Sequence, residues 1–142
     1  MIWLFLFVSF AQASEEKLHC LEAGQLRFLA LGSTREEKSS YCFDKSRSLF
    51  LSSSCHKKKC HAKKNKGCKV PPESLRGSVG SPGFKLCQAL GGEAQILEFH
   101  DGERWWSMDR CLFLSDGSYM DTGLMLKQRS ECPQNKKTKK IN

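Results

Sequence analysis

The chain has 142 residues, 23 Lys and Arg against 15 Asp and Glu, a formal net charge of +8 and eight cysteines. This length allows one or two small domains and excludes a large multidomain enzyme. Residues 56–69 hold seven lysines and residues 134–142 hold four, with no acid in either stretch, and the remainder carries 12 basic and 15 acidic residues. That segregation argues against a folded basic face built for specific nucleic-acid recognition.

Residues 1–13 read as a signal peptide: an apolar run from Ile2 to Phe10, then the small-x-small pattern Ala11-Gln12-Ala13. Nine apolar residues are too few to cross a bilayer, which takes about 20 in a helix, so no transmembrane segment is expected after cleavage. The expectation is an exported protein, periplasmic or secreted. In that compartment an even number of cysteines reads as a disulfide framework.

A first unit is expected over 14–55. Ser14-Glu15-Glu16 reads as the start of a helix carrying Leu18, Cys20 and Leu21 and stopping at Gly24. Strands are expected over 26–31, 40–43 and 49–52, with Asp44-Lys45-Ser46-Arg47 as the turn between the last two. Residues 56–80 read as a linker, basic at first and then rich in Pro, Gly and Ser.

A second unit is expected over 81–132. Ser81-Pro82 signals a helix start, Phe84, Leu86, Cys87 and Leu90 give its apolar stripe, and Gly91-Gly92 stops it. A strand over 94–99 turns at His100-Asp101-Gly102 and returns over 104–108. A second hairpin over 111–114 turns at Ser115-Asp116-Gly117 and is followed by a strand over 119–126. A basic tail, 133–142, ends the chain.

The halves share a spacing. Ser14, Cys20, Gly24 and Cys42 are matched by Ser81, Cys87, Gly91 and Cys111, with Cys-to-Cys steps of 22 and 24. This reads as an internal repeat. The expected fold is therefore α+β: two small disulfide-stapled units, each a short helix followed by a small antiparallel sheet, joined by a Lys-rich linker.

In residues 81–132 Pro82 is followed by Cys87, Gly91 and Gly92, then Cys111, Asp116-Gly117-Ser118 and Arg129-Ser130-Glu131-Cys132. In this order and spacing the segment resembles a small exported bacterial family labelled haemolysin, domain of unknown function 333. Ser81 departs from the family's Asn, Ser115 from its proline, Met120 from a further cysteine and Leu124 from a late Trp. The resemblance implies no catalytic residues. Under it, Cys132 lacks its usual partner if Cys87 pairs with Cys111. The pairing then favoured is Cys20–Cys42, Cys87–Cys111, Cys60–Cys68 and Cys55–Cys132, out of 105 connectivities.

Catalytic motifs are absent: no Gly-x-Ser-x-Gly, no His-Glu-x-x-His and no phosphate-binding glycine loop occurs. A non-enzymatic protein without a cofactor is expected. Lys57, Lys58, Lys59, Lys63, Lys64, Lys66 and Lys69 form the candidate anion-binding set. Its partner would be an anionic envelope component or a polysaccharide, reached by an interaction module of weak affinity. Trp105 and Trp106 alternate across a strand, so one indole should face outward and offer a contact surface with Tyr119. The alternative chemistry is a metal or haem site built on Cys55, Cys60, His61 and Cys68. A membrane-active, haemolysin-like factor rests on the family label alone.

Overall fold

The computed structural model describes residues 17–64 and 66–133. The signal peptide read over 1–13, the helix start at Ser14-Glu15-Glu16 and the tail from residue 134 lie outside the described residues. Among the described residues six antiparallel strands are present: β1 (His19–Ala30), β2 (Ser33–Phe43), β3 (Phe50–Ser52), β4 (Glu93–His100), β5 (Trp105–Leu112) and β6 (Tyr119–Asp121). They close into a barrel in the order β1-β2-β3-β6-β5-β4. Among the described residues four short α-helices accompany them, α1 (Ser53–Lys57), α2 (His61–Lys64), α3 (Pro82–Ala89) and α4 (Thr122–Ser130), with one 3-10 turn at Pro72–Leu75.

The barrel corrects the expectation of two separate helix-plus-sheet units. Each half supplies three strands, and a three-stranded sheet leaves one apolar face bare. Facing the two sheets inward buries Leu26, Tyr41, Phe43 and Phe50 against Leu97, Phe99 and Tyr119. Phe50 stacks on Phe99 at 4.8 Å and on Tyr119 at 5.5 Å, so the interior is a packed aromatic core. Each such ring contributes about 2–3 kcal/mol through burial. The seams are thin. β1 meets β4 through Leu26–Phe99 and Arg27–Glu98, and β3 meets β6 through Leu51–Met120.

The helix expected to end at Gly24 is a strand instead. From Cys20 opposite Cys42 to Ala30 opposite Ser33, β1 is paired with β2 along most of its length. That ladder outweighs the helical spacing of Leu18 and Leu21. Gly24 belongs to it because the Tyr41 ring lies where a Cβ would stand. The Tyr41 hydroxyl bonds the carbonyls of Gln25 at 3.0 Å and His100 at 2.6 Å, tying β1, β2 and the end of β4 together.

At α3 the structure shows the cap that the sequence signals, Ser81 Oγ accepting from the Phe84 N–H at 3.2 Å. The strand expected over 119–126 stops at Asp121. There the carboxylate accepts from the Leu124 N–H at 2.7 Å and starts α4.

Exchanging β1-β2-β3 for β4-β5-β6 leaves the strand order unchanged. Cys42 opposite Leu51 corresponds to Cys111 opposite Met120. Across the seam the Phe50 N–H donates to Asp121 Oδ2 at 2.9 Å, and the Tyr119 N–H donates to Ser52 Oγ at 3.2 Å. The cysteine partners differ in kind. Cys20 lies directly across the ladder from Cys42, whereas Ala94 lies across from Cys111, whose bond goes to Cys87 on α3.

A second core lies outside the barrel wall, where Leu51, Met120 and Cys111 meet Cys55, Ala62, Leu86 and Met125 from the helices and Cys60 from the turn between α1 and α2. The segment expected as a linker is therefore folded onto the barrel. Four disulfides are present: Cys20–Cys42, Cys87–Cys111, Cys55–Cys60 and Cys68–Cys132. The last two replace the expected Cys60–Cys68 and Cys55–Cys132. Cys55 ends up 5.0 Å from Cys60 between Cα atoms across one tight turn, and Cys68 is bonded just beyond the end of α4.

Candidate functional site

The site grows out of the turn that Cys55–Cys60 closes. Ser52 is followed by the five-residue helix α1, whose Cys55 side chain points into the outer core and is fully buried. The chain then turns through Lys58 and Lys59, re-enters the core at Cys60, and forms α2 with Ala62 fully buried. Small buried side chains alternate with long charged ones, so the lysines point away from the wall. Two bonds fix α2 from below. The His61 N–H donates to Asp116 Oδ2 at 2.8 Å, and the Ala62 N–H donates to Ser118 Oγ at 3.2 Å. The His61 ring also sits 4.7 Å from the Phe113 ring.

Asp116 is suited to that role. Burial disfavours its charge, but the Ser118 hydroxyl and the His61 and Ser118 N–H groups outweigh it and hold the carboxyl below the usual carboxylate range. The anchor stays ionised at neutral pH.

Lys57, Lys58, Lys59, Lys63, Lys64 and Lys66, with His56, line one open concavity of about 600 Å³. Lys69 lies in the neighbouring depression, of about 460 Å³, which shares Lys64 and Lys66 with it. Lys57 Nζ pairs with Glu22 at 2.9 Å, and this ammonium holds the Glu22 carboxyl below its ordinary value. Lys63 Nζ donates to the Cys55 carbonyl at 3.2 Å. Among the described residues no acid pairs with the other lysines of the rim. Ammonium groups about 10 Å apart in water repel by about 0.4 kcal/mol per pair before screening, a cost that a bound anion removes.

The other sequence candidates fall elsewhere. Trp106 packs against the barrel interior and donates its indole N–H to Asp101 Oδ2 at 2.7 Å. Trp105, one residue away, lies under the Arg27 guanidinium at 4.1 Å. Tyr119 corrects the expected contact surface, because it is 3% exposed inside the barrel with its hydroxyl 2.6 Å from Ser39 Oγ. Cys55, Cys60 and Cys68 are divided between two disulfides, which leaves no thiolate beside His61 to ligate a metal. Among the described residues no three His, Cys, Asp or Glu side chains are grouped to hold one.

Sequence reasoning missed the residues that place the lysines, namely Asp116 and Ser118. Their signal was the Asp-Gly-Ser string itself, read only as a turn. No family model, curated protein or solved structure matches the chain.

Proposed function

We propose that this protein is an exported, non-enzymatic interaction module that docks on anionic surfaces of the envelope or its surroundings through the lysine-lined concavity. The observation that carries this reading is the gathering of six lysines around one concavity on a disulfide-tied scaffold. Charge supplies the attraction and the barrel supplies a stable mount. The four disulfides suit an oxidising environment outside the cytoplasm. A periplasmic or secreted location, and the kinship of residues 81–132 with the haemolysin-labelled family, belong to the same proposal. Among the described residues no helix is long and apolar enough to cross a membrane.

The test is co-sedimentation of the purified protein with anionic and with neutral vesicles, and retention on an acidic polysaccharide. Binding to the anionic partners is expected to weaken at least tenfold as salt rises from about 50 to about 500 mM. It is also expected to be lost in a variant with Lys58, Lys59, Lys64 and Lys66 changed to Gln. Binding that survives that variant unchanged removes the concavity from the reading.

A further inference from the structure

The concavity has features that plain charge attraction does not need. A flexible run of lysines would attract a membrane or polymer equally well. Here the lysines sit on two short helices and the turns beside them, with a disulfide closing the turn between the helices and Asp116 and Ser118 holding α2, around a space of about 600 Å³. That volume lies in the range of small-ligand pockets. With Lys57 already paired to Glu22, five further lysines line it, Lys63 with its Nζ on the Cys55 carbonyl.

A ligand that matches five positive charges in so small a space must carry several negative charges close together. Sulfate and carboxylate groups bring one charge each, and in a polysaccharide they are spread along the chain. A phosphomonoester brings about 1.5–2 at neutral pH, with three strong acceptor oxygens. Two or three of them on one compact frame reach the required density. The cation type agrees. The rim contains lysines and no arginine, and ammonium groups act as orientable point charges that do not demand the planar fork geometry of guanidinium.

Resting on the anion-docking reading, we infer that the concavity is a pre-organised site for one compact, multiply phosphorylated group, and that the Cys55–Cys60 disulfide is its positioning element. The group is either a phosphorylated headgroup presented by a lipid or a free condensed phosphate. The two share their chemistry and differ in what carries it.

The experiment uses the unaltered full chain. Inorganic tripolyphosphate and inositol hexakisphosphate are titrated calorimetrically, beside sulfate, citrate, polyglutamate and duplex DNA. A parallel arm measures vesicles bearing a bis-phosphorylated headgroup against vesicles of equal charge bearing a monophosphate. One-to-one binding of the compact phosphates, at least tenfold tighter than citrate at equal charge, is expected. Tighter binding to bis-phosphorylated vesicles than to soluble phosphates assigns the lipid-borne source, and the reverse order assigns the free one. Each Lys58→Gln, Lys59→Gln, Lys64→Gln or Lys66→Gln change should weaken binding about fivefold, near the worth of one lysine at a phosphate surface.

A variant with Cys55→Ser and Cys60→Ser keeps every charge. It should lose at least tenfold toward the compact phosphates and less than twofold toward bulk anionic vesicles. Equal affinity for polyglutamate or DNA at matched charge, several ligands per chain, or no preference among the anions overturns the inference while leaving general anion docking intact. No binding to any polyanion removes both. The stoichiometry and the ligand ranking need no variant, so they decide the matter even if the serine variant fails to fold.

Discussion

At the residue scale, three buried aspartates separate by their surroundings. Asp101 is 1% exposed at its side chain. Burial opposes its charge, but the N–H groups of Arg104 and Glu103, the Trp106 indole and the Arg47 guanidinium outweigh burial and hold the carboxyl well below the usual range. Asp44 behaves in the same way, with Ser46, Ser48 and the Leu49 N–H overcoming burial. Asp121 goes the other way. Burial, with the charge of Asp44 added, pushes it up to about 6 against the bonds from the Phe50 and Leu124 N–H groups. The signs follow from proton counting. Between about pH 4 and 6 the folded protein keeps a proton on Asp121 that the unfolded chain has released, so stability falls as pH rises through this window, by up to about 3 kcal/mol. The contributions of Asp101 and Asp44 are present above about pH 4 and are lost only on further acidification. Urea midpoints measured from pH 4 to pH 7 should therefore decline. In Asp121→Asn the profile over the same range should be flat, at a lower overall stability, because the amide cannot accept both backbone bonds.

At the element scale, β1 and α3 show why one segment hides its structure from the sequence and another announces it. Residues 81–92 announce α3 with a cap, a proline and a stop that act within one helix. Residues 18–24 contain a weak helical spacing, and what makes them a strand is β2, some twenty residues away. Local signals cannot report a ladder partner. Helix α4 is the opposite case. Asp121, followed by Leu124, Met125, Leu126, Lys127 and Gln128, is a capped run of good helix formers, a local signal that favours the helix over the expected strand. Gly24 tests the β1 assignment. Gly24→Ala would drive a methyl into the Tyr41 ring, whose hydroxyl bonds the carbonyls of Gln25 and His100. We expect a loss of about 2–3 kcal/mol in denaturant unfolding, the upper part of the range for overpacking a fixed core. In a helix stopped by Gly24 the change would cost only about 1 kcal/mol, the penalty for a Cβ in the left-handed conformation.

At the scale of the whole molecule, the barrel is two three-stranded halves joined at thin seams, and one disulfide ties the segment between the halves to the end of α4. Cys68–Cys132 closes a separation of 64 residues, against 5 for Cys55–Cys60. On the chain-entropy model the long loop contributes about 4 kcal/mol and the short one about 2. The double variant Cys68→Ser, Cys132→Ser should therefore lower unfolding stability by about 2–4 kcal/mol while the lysine rim keeps its anion affinity. The lysines themselves were legible from composition, and so was the presence of disulfides. The barrel was not, because two half-sheets complete one core only through pairings set at their far ends. The shape of the site was hidden for a related reason. A lysine-rich string looks like solvated linker until Cys55, Cys60 and Ala62 are seen to be buried beneath it.

The most direct measurement is backbone amide chemical-shift mapping of the isotope-labelled full chain during titration with inorganic tripolyphosphate. The account predicts saturable shifts concentrated in residues 55–66 and at Asp116 and Ser118, which hold α2 in place. Shifts spread evenly over all lysines, or confined to the basic residues beyond 133, would contradict it.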